Sequence, residues 1–154
     1  MTVTEAKTLE ATIDMAATPE EIWALVSDLP RMAAWSPQVV KTIQRGPGGL
    51  GTKTLNINRS GWKVWPTRSK VIRFEPPREL AFRVKDNFTV WSYTLEPLAA
   101  GGTRVVVRRE APDGLAPMSA KLQGVVMGGL DRFDEEILAG MNKTLERLKA
   151  EVES

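Results

Sequence analysis

Residues 9–15 alternate strictly: Leu9, Ala11, Ile13 and Met15 are apolar, and Glu10, Thr12 and Asp14 are polar. A period of two sends successive side chains to opposite faces, so this stretch predicts a half-buried strand. The pattern changes at Thr18-Pro19-Glu20-Glu21. A threonine cap, a proline at the first helical position and a glutamate three residues after the cap form a capping box, which satisfies or spares the amides a helix start leaves unpaired. Ile22, Trp23, Leu25 and Val26 follow at helical spacing until Asp28 to Pro30 ends the run. A short helical segment around Met32 to Trp35 then leads into Ser36-Pro37.

From 39 to 111 the punctuation is that of hairpins. Turn signals stand at Gly46-Pro47-Gly48-Gly49, near Ser60-Gly61, at Pro76-Pro77, at Asp86-Asn87 and at Ala99 to Gly102. Six runs rich in Val, Ile, Thr and aromatics lie between them, each of strand length. Connections this short force antiparallel neighbours, so the six form a meander, and the opening strand makes seven. One run resists assignment. In Lys63 to Glu75 the inward set is either Trp65, Thr67, Ser69, Val71 and Arg73 or Val64, Arg68, Ile72 and Phe74. Pro66 inside it argues for an edge position or a bulge.

After Pro112 the period becomes helical again. Phe133, Ile137, Gly140, Met141, Thr144, Leu145, Leu148 and Val152 recur at steps of three and four, the mark of one buried stripe. An earlier half (Met118, Leu122, Val125, Val126) precedes Gly128-Gly129, where two glycines cost a helix interior about 1 kcal/mol each. They imply a kink or a close backbone approach. No repeat, linker or low-complexity segment divides the chain, so residues 1–154 read as one α+β domain. Its order is strand, helix, short helix, six strands and long helix. A sheet apolar on one face must cover that face, and the last helix is the element long enough to do so. Seven twisted strands curl, and a helix about 10–12 Å wide cannot fill the concavity alone. The expectation is a cavity between sheet and C-terminal helix.

Composition narrows the chemistry. The 154 residues are 42% hydrophobic and 26% charged, ordinary for a globular protein, and contain neither cysteine nor histidine. That excludes disulfides, thiolate or histidine metal sites and a Ser-His-Asp triad. Acid–base work falls to a carboxylate, a lysine or the single tyrosine. No metal or cofactor is expected. The N-terminus lacks the basic start and apolar run of a secretory signal, and no stretch approaches the ~20 apolar residues of a membrane span, so a cytoplasmic protein is expected.

Several segments resemble a known family: the opening ATPEEIWALVSDLPRMAAWSP, the FEPPRELAF link between central strands, and the WSYTLEPLAAGGTRVVVRRE pair. Together and in this order they look like the polyketide cyclase/dehydrase-like branch of the START-like (SRPBCC) helix-grip superfamily, over nearly the whole chain. The resemblance implies a seven-stranded curved antiparallel sheet wrapped around a long C-terminal helix. It also implies an internal hydrophobic cavity that takes lipids, polyketides or other apolar small molecules. It carries over no catalytic residue.

Alternation supplies the candidate lining. Trp91, Tyr93 and Leu95 share one face, Leu80, Phe82 and Val84 another, and Val105, Val107 and Arg109 a third; if the apolar sets face inward, Tyr93 and Arg109 go with them. Tyr93 is either a core tyrosine with a backbone or water partner, or an anchor or proton donor for a ligand, and so the candidate catalytic residue. Arg109 needs a partner: an internal carboxylate, solvent at the strand's end, or a ligand's carboxylate, phosphate or keto oxygen. Trp35 stands near the expected cavity mouth, as packing or entrance. Trp62, Trp65 and Trp91 read as ordinary sheet packing or as an aromatic wall. Val126, Leu130 and Phe133 are the candidates on the helical side.

Net charge is +2 but uneven: −4 over residues 1–37, +9 over 38–112 and −3 over 113–154. The meander is therefore basic, which serves either to keep a solvated sheet face from aggregating or to attract an acidic partner. Three functions are expected, in this order: carriage or sequestration of a hydrophobic small molecule, a cyclase/dehydratase-type enzyme acting in the same cavity, and an interaction module using the basic outer face. No nucleic-acid motif is present, and weak contact with a membrane surface is the further partner reading.

Overall fold

A computed structural model describes residues 8–112 and 130–154, the second span in side-chain detail from residue 134. β1 (Leu9–Met15) leads to α1 (Pro19–Val26), a 3-10 turn (Leu29–Arg31) and α2 (Met32–Trp35). Six strands follow: β2 (Val39–Arg45), β3 (Lys53–Ser60), β4 (Lys63–Glu75), β5 (Glu79–Val84), β6 (Val90–Pro97) and β7 (Thr103–Glu110). α3 (Leu130–Val152) ends the fold. All seven strands make one antiparallel sheet in the order β1-β7-β6-β5-β4-β3-β2. β2 to β7 are the expected meander, and β1 closes onto β7 from Leu9↔Arg109 to Met15↔Thr103.

The capping box forms as the sequence requires. The Thr18 hydroxyl oxygen accepts from the Glu21 amide at 3.2 Å, and the Glu21 carboxylate accepts from the Thr18 amide at 3.3 Å. On α3, Met141, Thr144, Leu145 and Leu148 are buried at i, i+3, i+4 and i+7. They pack with Leu9, Ala11 and Met15 of β1, Leu95 of β6, and Val105 and Val107 of β7. The last turns of α3 are tied down by polar contacts. The Ala16 amide donates to Glu153 at 2.7 Å, Lys149 donates to the Asp14 carbonyl at 3.1 Å, and Trp35 Nε1 donates to Glu151 at 3.2 Å. At its other end Asp134 meets Arg109, so α3 runs antiparallel to β7. None of the described helices is long and apolar enough to cross a membrane.

β4 settles the ambiguous alternation. Trp65, Thr67, Ser69 and Val71 face inward; the register then shifts between Val71 and Arg73, and Phe74 turns inward after it. Each reading of the sequence is right on one side of the shift, because one extra residue reverses the faces beyond it. Pro66 is neither on an edge strand nor at the bulge. β5 pairs with β4 only from Ser69 onward, so Pro66 has a neighbour in β3 alone, opposite Ile57. Its missing N–H falls where no second strand asks for one.

Candidate ligand-binding site

Six of the residues singled out in the sequence lie together. Phe82 of β5, Trp91 of β6 and Arg109 of β7 stand opposite one another in one row, and Leu80, Tyr93 and Val107 form the next. Both rows face α3. Tyr93 and Arg109 are thus diagonal neighbours across β6 and β7, about 7 Å apart at the backbone.

The polar members of this wall are deeply buried. Arg109 is 1% exposed, and its guanidinium lies 3.4 Å from the Asp134 carboxylate. Burial holds it below the ordinary arginine range, and Asp134 opposes that shift. An internal carboxylate, one of the partners expected from the sequence, is present. Tyr93 is 6% exposed, and burial alone pushes its hydroxyl up to about 12. At neutral pH it is a neutral phenol, able to give a proton. Trp91 Nε1 donates to the Thr89 hydroxyl at 3.2 Å, which fixes the ring.

The other candidates stand apart. Trp35 is not at a loop mouth but at the end of α2, 3% exposed, where it packs in the core and binds Glu151 of α3. Trp65 points inward near the tip of the β3–β4 hairpin, opposite Asn58. Trp62 is 87% exposed at the hairpin turn, so the three tryptophans do not form one wall: the turn carries its ring away from the sheet, with the Lys63 ammonium 5.9 Å from the ring centre. Leu130 and Phe133 fall in the first turn of α3, and their side chains, like Val126 altogether, lie outside the described residues.

A second half of the inner surface was only partly legible: Thr67 and Ser69 stood in one of the two inward sets offered for β4, and the rest was missed. Thr42 of β2, Thr54, Asn56 and Asn58 of β3, and Thr67 and Ser69 of β4 face inward and are buried or half-buried. They satisfy one another. Thr42 donates to Asn56 Oδ1 at 3.0 Å, Asn56 Nδ2 to Ser69 Oγ at 3.1 Å and Asn58 Nδ2 to Thr67 Oγ1 at 3.0 Å, while Thr54 and Ser69 share a hydroxyl contact. The inversion on β3 is the reason for the miss: Leu55 and Ile57, the apolar members of its alternation, point outward. One signal was available. The inward residues are short and uncharged, so they can pair sideways, which lysine or glutamate does not do when buried.

An inner-face hollow lined by described residues is far smaller than a ligand. Along the C-terminal half of α3 the interface is filled by Met141, Leu145 and Leu148. Where Leu29, Met32, Val71 and Phe82 meet the polar ladder, the gap holds about 10 Å³, room for about one water. The larger hollow, about 470 Å³, lies on the opposite, outer face over β1 and β7, lined by Glu10, Asp14, Arg104 and Arg108 among others. It is open, polar and ion-paired, and so unlike the apolar interior that was expected.

The family described as polyketide cyclase / dehydrase and lipid transport matches residues 6–153. The chain belongs to this family. Among solved structures, the Polyketide_cyc-like protein Cgl2372 from Corynebacterium glutamicum is 27% identical, with a TM-score of 0.65 over 95% of this chain and 91% of that one. The di-domain ARO/CYC StfQ from the steffimycin biosynthetic pathway is 13% identical, with a TM-score of 0.75 over 95% of this chain and 50% of StfQ. The KanY protein, 17% identical, matches end to end with a TM-score of 0.71. The chain thus spans half the length of the di-domain protein. No curated protein matches the sequence. At these low identities StfQ and KanY share the helix-grip architecture with this family member and nothing finer.

Proposed function

We propose that the protein binds a hydrophobic small molecule, such as a lipid or polyketide, between its sheet and C-terminal helix, as a carrier or sequestering protein. The observation that carries this reading is the two-row block of Phe82, Trp91, Arg109, Leu80, Tyr93 and Val107: a mostly apolar wall holding one neutral phenol and one guanidinium. Apolar burial supplies about 25 cal/mol per Å² of contact but no orientation, and a few placed polar groups supply the rest. Membership of a family described by cyclisation, dehydration and lipid transport supports the same reading. The ligand enters at the Asp134 end of α3, since Met141, Leu145 and Leu148 occupy the other end. Native mass spectrometry of the purified protein, with titration by an environment-sensitive apolar dye, tests this. A bound apolar mass or saturable one-to-one dye uptake is expected; neither appearing overturns the reading.

A second reading, a cyclase- or dehydratase-type enzyme in the same space, is favoured by the state of Tyr93. A phenol kept neutral by burial can hand a proton to a developing enolate, and the adjacent Arg109 cation can stabilise the charge before transfer. Full turnover of a poly-β-ketone substrate by Tyr93→Phe would remove the tyrosine from that role.

A further inference from the structure

The outer face of the sheet is built in two styles. On β1 and β7 each cation meets an anion: Arg104 donates to Asp14 at 2.9 Å, and Arg108 pairs with Glu10. On the strands at the other side, register lines up Arg45, Lys53, Lys70 and Arg83 in a single row across β2, β3, β4 and β5. With strands about 4.8 Å apart, four cations fall within roughly 15 Å. Like charges directly opposite one another destabilise a sheet. Among the described residues no carboxylate pairs with Arg45, Lys53 or Lys70, while Arg83 lies 5.3 Å over the Phe88 ring. A solvated face needs charge to resist aggregation, but it does not need the charges to be of one sign and in register.

The rows beside the four cations mix apolar side chains with one cation each, Arg68 in the first and Lys41 in the second. Ile43 faces Leu55, and Ile57 faces Pro66, all pointing outward. Ile43 is 40% and Val64 61% exposed, and Trp62 stands at the hairpin tip beyond them. Lys41, Arg59 and Arg68 edge this patch, Arg68 held by Asp86 at 3.4 Å, and the acidic outward position of β2, β3 and β4 is Glu75, at the far end of β4 beyond the register shift. An extended phosphate backbone would use the cations and leave the apolar residues and Trp62 in water. A bilayer surface uses all of them. Anionic headgroups meet lysine and arginine, apolar side chains enter the headgroup–acyl boundary, and tryptophan sits at that depth.

We propose that the outer face of β2, β3 and β4 docks on membranes containing anionic lipid, with Trp62 leading. The proposal rests on the exterior alone and stands whether or not the interior holds a ligand. The test is co-sedimentation of the full chain with vesicles of phosphatidylcholine alone and of phosphatidylcholine with phosphatidylserine, at low and high salt. Binding to the anionic vesicles is expected, lost at high salt through screening. Lys53→Gln with Lys70→Gln is expected to weaken it roughly 30-fold, given the contribution of each cation near such a surface. Both side chains are exposed and repel each other, so the thermal midpoint should hold or rise. Trp62→Ser should weaken binding severalfold while leaving its salt dependence unchanged. Equal affinity for the two vesicle types, no loss in the double lysine variant, or binding to duplex nucleic acid without binding to vesicles would overturn the proposal.

Discussion

At Tyr93 the low-dielectric surroundings tax ionisation, and the consequence is measurable. The unfolded phenol ionises near 10, whereas the native one holds its proton to about 12. Between those values the unfolded chain binds fewer protons than the native one, so stability falls as pH rises through the window. The loss is roughly 2–3 kcal/mol when complete. Tyr93→Phe cannot ionise and should show a smaller decline, as read from denaturant unfolding of both proteins at pH 9 and 11; parallel declines would mean the phenol is wetter than its burial indicates. That Tyr93 and Arg109 face inward was legible, because alternation along β6 and β7 carries them with Leu95, Val105 and Val107. That Arg109 meets Asp134 was not. The carboxylate lies 25 residues away on another element, and no periodicity relates the two.

Elements repeat this division. α1 and α3 follow from a capping box and a stripe at steps of three and four, both local properties. β3 and β4 do not obey the local rule, because the fold turns Thr54, Asn56 and Asn58 inward and a register shift divides β4. Turns carry a further constraint that sequence shows only as a glycine pair. Gly102, in the β6–β7 turn, has φ +84°, and a Cβ there would come within 2.6 Å of the Met15 carbonyl oxygen at the end of β1. Gly101 has φ +93° with nothing within 4 Å. Both alanine substitutions meet the left-handed backbone penalty, but only Gly102→Ala also pushes backbone against backbone. Urea unfolding should show Gly102→Ala costing about 2–4 kcal/mol and Gly101→Ala about 1. Equal costs would show that β1 yields freely at this contact.

Over the whole molecule the sheet has four unlike quarters. Inside, β5 to β7 and β1 are apolar and grip α3, while β2 to β4 present a polar ladder. Outside, β1 and β7 are ion-paired, while β2 to β4 carry cations and exposed apolar side chains. The basic meander was visible in the charge count, but composition cannot distinguish scattered cations from a row. Four strands in register make it a row. The inside-out alternation of β3 then accounts for two features together, since sending Asn56 inward sends Leu55 and Ile57 out beside those cations.

With the helix-grip architecture implied by the family resemblance, sequence alone determined the element order, the inward set of β5 to β7 and the absence of histidine and cysteine chemistry. These are local patterns or simple inventory, and each is set within a few residues. Tertiary structure alone decided which carboxylate faces Arg109, which way β3 turns and how closely α3 fills the interior. It also decided where the cations line up. Each of these depends on register and packing between segments far apart in the chain, where no local period constrains the outcome.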